Sequence, residues 1–332
     1  MRSPRLGRAA VAATAGLAVA LLAAACSSSS SSPGSSGSGS PSSANLEQSS
    51  ITVGALPVVD DAPLYLAQKN GYFKQAGLTV KIRPVTQSTE AIPDMLHGSV
   101  NIIAGANYVS FFQAQAKGAV QFKVLVEGVA CKPDTFTIMA LPSSGIKKPA
   151  DLAGKKVAVN LTNNIQTLTA NAVLKAQGVD PSKVHYVVVP FPDMITALKS
   201  HQVDAISVVQ PFVAGAQASG AGTVVSSCTG PVANEPMSGY FATQSWAQQN
   251  PNTARAFQTA MLKAQAYANA NPAAVKSILP TYTKISAQAA PHVTLGTFPS
   301  TVDAHAVQQI LSLMQGGGLS TGSLDASSLL FH

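Results

Sequence analysis

The chain has 332 residues, a formal net charge of +7, 46% apolar and 11% charged residues, and a mean hydropathy of +0.21. That length suits about two domains, and so apolar a composition excludes a disordered acidic or basic protein. No apolar run beyond residue 30 reaches the roughly 18 residues of a membrane span, and only Arg83 and Arg255 follow Arg2, Arg5 and Arg8, too few and too scattered to neutralise a nucleic-acid backbone.

The first segment reads as an address. Arg2, Arg5 and Arg8 precede an apolar run from Ala9 through Leu21 and Leu22 to Ala25, the pattern of a secretory signal over residues 1–25. Cys26 follows at once, as in a bacterial lipobox, with Ala23 where that pattern prefers leucine. Cys26 is therefore the expected lipidation site. Residues 26–50 are rich in Ser, Gly and Pro, a flexible tether of roughly 25–30 Å mean reach. A globular body held by a lipid on the extracytoplasmic face of the cell membrane is the expectation.

Strand-like runs then fall at 51–56, 78–83, 100–104 and 122–129, with helix-like runs at 62–75, 89–97 and 108–117 between them. The alternation restarts with strands at 156–159, 184–189, 203–209 and 223–225 and helices at 165–177, 194–200 and 212–218. Such alternation predicts mostly parallel sheets flanked by helices, an α/β class. Past Tyr240 the chain turns Ala-rich and helical, over 244–270, 273–282 and 301–315, with Asn250-Pro251 and Asn271-Pro272 as start signals. The two alternating blocks resemble each other: Glu90–Ile103 aligns without a gap on Asp193–Ile206, and Gly77-Leu78 recurs as Gly178-Val179. Two lobes of like topology are expected.

Cys131 and Cys228 remain after Cys26, an even pair in an oxidising setting. Each follows the last strand of its block, and a disulfide between them is expected. Neither has ligand-spaced Cys or His neighbours, and the six histidines are scattered, so no metal site is expected. No phosphate-loop, dinucleotide, zinc-protease or nucleophile-elbow motif occurs, so neither an enzyme nor a cofactor is expected.

Ala62–Ala67 (APLYLA) followed by Gly71–Val80 (GYFKQAGLTV) resembles the opening motif of the nitrate/sulfonate/taurine/thiamine-precursor family of substrate-binding proteins. Asp151–Val159, Val203–Ile206 and Gln210–Phe212 are similar to later segments of that family. The resemblance implies a two-lobe periplasmic-binding-protein type II fold, with lobe 1 made of 51–135 plus 241–332 and lobe 2 of 136–240. It also implies a monomer that binds a small organic molecule in the cleft and passes it to the permease and ATPase subunits of an ATP-binding cassette (ABC) importer. A lipoprotein that presents its ligand to a sensor is the alternative, and a pyrimidine-synthesis-like enzyme on the same fold is a remote one.

Ligands of open α/β sheets sit beyond the carboxyl ends of the strands. The loops there hold Asp60 and Asp61, then Asn107 and Tyr108, then Asn163 and Asn164 within 160–164, then Gln210 and Phe212. These eight are the candidate ligand-binding residues. Asp61, Asn107 and Asn164 would equally serve as helix caps. Neither remaining arginine lies in a candidate loop, whereas two aspartates do. The ligand is accordingly expected to be neutral, zwitterionic or cationic, of taurine/sulfonate or thiamine-pyrimidine type, with Tyr108, Phe212, Tyr240 and Trp246 as a possible aromatic wall.

Overall fold

The structure is a computed structural model, and it describes residues 45–332. The signal segment 1–25, the Cys26 lipidation site and most of the tether lie outside the described residues. The end of the tether is not free. Glu47 accepts hydrogen bonds from the backbone N–H groups of Asn252 and Thr253, and Trp246 Nε1 donates to Gln48.

The chain runs β1 (Ser50–Ala55), α1 (Ala62–Lys69), α2 (Tyr72–Gln75), β2 (Thr79–Pro84), α3 (Ile92–Leu96), β3 (Ile102–Asn107), α4 (Tyr108–Ala116) and β4 (Phe122–Glu127). It then crosses to β5 (Phe136–Ala140), β6 (Lys156–Val159), α5 (Ile165–Ala176), β7 (His185–Val188), α6 (Phe191–Lys199), β8 (Ala205–Val209), α7 (Phe212–Ala218) and β9 (Gly222–Ser226). It returns through β10 (Ser238–Thr243) and ends in helices α8 (Gln244–Gln249), α9 (Pro251–Ala270), α10 (Pro272–Ile278), α11 (Ala304–Gly316) and α12 (Ala326–Leu329).

These strands make two five-stranded sheets of one design, β2-β1-β3-β10-β4 and β7-β6-β8-β5-β9. In each the first three positions are parallel, and the fourth strand, β10 or β5, runs antiparallel to both neighbours. The fold is thus a two-lobe α/β architecture, and the internal resemblance has its counterpart in the sheets: β3 and β8 both occupy the third position. Gly77 and Gly178, each just past a helix, adopt φ of +77° and +75°, the left-handed closure that glycine permits at lowest cost.

The structure departs from the expected elements in definite places. The helix expected over 62–75 breaks at Gly71, where φ is +71°, and the one expected over 244–270 breaks at Asn250-Pro251, because proline cannot donate the next ladder bond. Strands β5 and β10 lie outside the strand-like runs of the sequence. Since β10 lies in the first sheet, Ser238–Tyr240, expected in the second lobe, belong with the first. The first lobe's core packs Ile51, Val53, Leu64, Phe73 and Tyr240 against Phe257 and Met261 of α9. Helix α11 joins a core with Phe111 and Phe112 of α4 and with Leu168 of α5, so it bridges both lobes. Among the described residues no helix is long and apolar enough to cross a membrane.

Candidate ligand-binding site

A cavity of about 60 Å³ lies where the lobes meet. Its walls come from the carboxyl ends of β1 (Leu56, Val58, Asp60), β3 (Gly105, Asn107), β6 (Asn160) and β8 (Val209, Gln210), and from the amino ends of the reversed strands β5 (Thr135, Phe136) and β10 (Met237, Ser238). The reversal of one strand per sheet is what lets both chain crossings contribute. The lobes touch around the cavity: Val59 N donates to Gln210 O at 3.0 Å, Gln87 Nε2 to Asn160 O at 3.0 Å, and Gln113 Nε2 to Asn163 O at 2.6 Å.

Of the eight candidate residues, the cavity brings together Asp60, Asn107, Asn164 and Gln210. Asp61, Tyr108, Asn163 and Phe212 are not among its walls. Asp61 points away: its Oδ2 accepts from Leu56 N at 2.9 Å, and it makes no side-chain cap for α1. Its Oδ1 is unpartnered and closes on Gly105, where a Cβ would stand 2.9 Å from it. Tyr108 is buried against Phe112 and Phe241. Asn163, at φ +50°, offers its carbonyl to Gln113. Phe212 stacks at 5.4 Å behind Phe191, which does reach the cavity. The expected aromatic wall of Tyr108, Phe212, Tyr240 and Trp246 is therefore replaced by Phe136 and Phe191. The expected four are buried in the hydrophobic cores of the lobes instead.

The amides that do reach the cavity are mostly spent on the protein. Asn107 Oδ1 caps α4 by accepting from Ser110 N at 2.9 Å, and its Nδ2 donates to Ser88 Oγ. Asn164 Oδ1 caps α5 by accepting from Gln166 N and Thr167 N. Gln210 donates to Asp134 O and accepts from Ala214 N. Asp60 is different. Its Oδ2 accepts from Ser238 Oγ at 2.6 Å, and burial pushes its carboxyl up to about 6 despite that hydrogen bond. Burial first, and the Asp60 charge second, push the Asp61 carboxyl well above the ordinary carboxylate range. No lysine or arginine is among the cavity walls, and the described residues hold no cluster of three or more His, Cys, Asp or Glu side chains for a metal.

Sequence reasoning missed Ser88, Thr135, Gln166, Ser238, Thr294 and Gly296 at the cavity. Thr294 and Gly296 arrive through an isolated bridge between Ala130 and Thr297, for which no local pattern exists. The expected disulfide is a correction: Cys131 and Cys228 are buried free thiols. They do lie side by side at the crossings, where contact with Cys228 and burial push the Cys131 thiol up. Cys131 donates to Val232 O and Cys228 meets Thr135 Oγ1, so each sulfur already has a hydrogen-bond partner.

Fold and site together have the architecture of two-lobe binding proteins, two α/β lobes meeting around a small cavity of mixed apolar and polar walls. The NMT1/THI5 like family model matches residues 59–275, and the chain belongs to that family. The nitrate/nitrite binding protein NrtA of Nostoc sp. is 27% identical over 247 residues, 68% of this chain and 56% of that protein. The bicarbonate transport ATP-binding protein CmpC of Synechocystis sp. is 25% identical over 244 residues, 67% of this chain and 35% of that one. The chain thus spans about half, or less, of these curated relatives. Among solved structures, the alkanesulfonate-binding protein SsuA of Xanthomonas axonopodis pv. citri, bound to MOPS, superposes with a TM-score of 0.72 at 16% identity, over 86% of this chain and 98% of that one.

Proposed function

We propose that this chain is the extracytoplasmic solute-binding component of an ABC importer, tethered through a lipid on Cys26, which captures a small organic ligand between its lobes and delivers it to a membrane permease and its ATPase. Membership of the family and the names of its relatives, a nitrate/nitrite binding protein and a transport ATP-binding protein, support the role. One observation carries the ligand class: among the described residues that wall the cavity, the only acidic or basic side chain is a carboxylate, Asp60. A buried anion that must be paired or hydrogen-bonded selects a neutral, zwitterionic or cationic molecule with an N–H or charged amine toward Asp60. A free oxyanion such as nitrate would meet a like charge there. The remaining walls, with Leu56, Val58, Phe136, Ile165 and Phe191, take an apolar or planar body.

Isothermal calorimetry at pH 7.5 with two groups of probes tests this. Guanidinium, benzamidine, 4-aminopyridine and cytosine form one group; nitrate and methanesulfonate form the other. Binding by at least one of the first group and by neither anion is expected. Binding confined to the anions refutes the ligand class. For the tether, Cys26→Ser should release the protein from membranes, since one acyl chain supplies about 0.8 kcal/mol per buried CH₂. A Ser variant that stays wholly with membranes in high salt refutes the anchor.

A further inference from the structure

Five side-chain amides border the cavity, and four of them are committed. Asn107, Asn164 and Gln210 hold helix ends and loops, and Gln166 accepts from Asn160 N and donates to Ser207 O. Asn160 is the exception. It is 5% exposed, borders the cavity at the carboxyl end of β6, and its Oδ1 has no hydrogen-bond partner. Leaving such a group unpaired costs free energy, and of the buried unpartnered side-chain oxygens among the described residues this one alone belongs to a residue that walls the cavity.

The backbone of Asn160 is meanwhile held from both sides. Its N–H donates to Gln166 Oε1 at 2.7 Å within the second lobe, and its carbonyl accepts from Gln87 Nε2 at 3.0 Å across the cleft. The second of these bonds needs the lobes together. Asn160 is therefore fixed most firmly in the closed form, while Asp60 faces the same cavity from the first lobe.

We propose that Asn160 is the second lobe's ligand contact: its side-chain oxygen accepts a hydrogen bond from the same ligand whose N–H or cationic end meets Asp60. The ligand is then a compact amine, amidine or amino-substituted ring with donors at two points. This rests on the ligand class proposed above and narrows it from one donor to two. Gln87 acts as a positioning residue, since it reaches the Asn160 carbonyl and is not itself a cavity wall.

The test uses the purified protein and the same four amine probes, with tetramethylammonium added as a cation that lacks N–H donors. Wild type should bind at least one N–H-bearing probe and bind tetramethylammonium far more weakly. Asn160→Ala should weaken the bound probe about two- to tenfold, the range for one neutral hydrogen bond, with folding checked by circular dichroism. Should the Ala variant fail to fold, Asn160→Asp keeps size and acceptor, and must bind guanidinium or benzamidine at least as tightly as wild type. An amine that binds with less than a twofold change in Asn160→Ala, or weakened binding of those cations to Asn160→Asp, overturns the role of Asn160 alone. Tetramethylammonium binding as tightly as the N–H probes overturns the two-donor ligand. Silence of all the amines, or binding of the anions only, removes the ligand class and this inference together.

Discussion

Replacing Asp60 by Asn tests the claim that this carboxylate is kept for binding at a cost to the fold. Asn matches the size and can still accept from Ser238 Oγ, so the change removes mainly the charge. The folded protein raises this carboxyl from 3.8 to about 6, and each pH unit between those values is worth about 1.4 kcal/mol. That sets an upper figure of about 3 kcal/mol. Asp60 faces a cavity and is not wholly enclosed, which reduces it to about 1–2 kcal/mol. The sign follows from linkage: a folded carboxyl that holds its proton more tightly than the unfolded one loses stability as pH rises through the window from about 4 to about 6, and the loss is complete above it. Asp60→Asn should therefore be more stable than wild type by about 1–2 kcal/mol at pH 8, a gain of several degrees in melting temperature, and nearly equal to it at pH 4. It should bind the amine probes at least tenfold more weakly. Urea melts at both pH values, paired with calorimetry, supply the readings. A variant less stable than wild type at pH 8, or with unchanged affinity, would show that Asp60 is part of the scaffold.

Further expectations follow from the same contacts. Gly105→Ala places a Cβ 2.9 Å from Asp61 Oδ1 at φ +59°, so it should cost at least about 2 kcal/mol in denaturant melts; a cost under 0.5 kcal/mol would mean the Asp61 carboxyl moves freely. Phe212→Ala empties the space behind Phe191 and should destabilise by about 3–5 kcal/mol, whereas a loss of affinity without loss of stability would return Phe212 to the site. Asn164→Ala removes the cap on two N–H groups of α5 and should cost about 1 kcal/mol, with probe affinity of the folded protein changed less than by Asn160→Ala. The opposite ranking in calorimetry would exchange the two roles.

Much of the frame was legible because it is local. Valine- and isoleucine-rich runs marked the parallel strands, and Gly77 and Gly178 marked helix ends. The ungapped match of 90–103 with 193–206 placed Asn107 and Gln210 at equivalent strand ends. The reversed strands were not legible, because Phe136–Ala140 and Ser238–Thr243 become strands through neighbours far away in sequence: β5 pairs with β8 and β9, and β10 with β3 and β4. At the site, strand-end logic led to loops that border the cavity but could not rank side chains within them. Asn160, Asn163 and Asn164 are the same kind of residue in one loop. Their environments separate them: one caps a helix, one lends its carbonyl to Gln113, and one keeps an unpaired oxygen. The cysteines show the same limit, since spacing pointed to neighbouring crossings but not to the Val232 and Thr135 partners that each thiol takes up.

The position of β10 between β3 and β4 sets an order on assembly. The second sheet is built entirely from one unbroken stretch, Phe136–Ser226, and its contacts can close as soon as that stretch is available. The first sheet cannot: β3 and β4 do not pair with each other, and the strand that joins them is the last of the ten along the chain. Until Thr243 is present, both strands keep open edges, the kind of surface that recruits other chains. Closing that gap pairs β10 with strands more than a hundred residues earlier, with the whole second lobe in between, and such non-local pairings are slow. The second lobe can therefore condense while the first sheet still waits for β10, the strand that fills its gap.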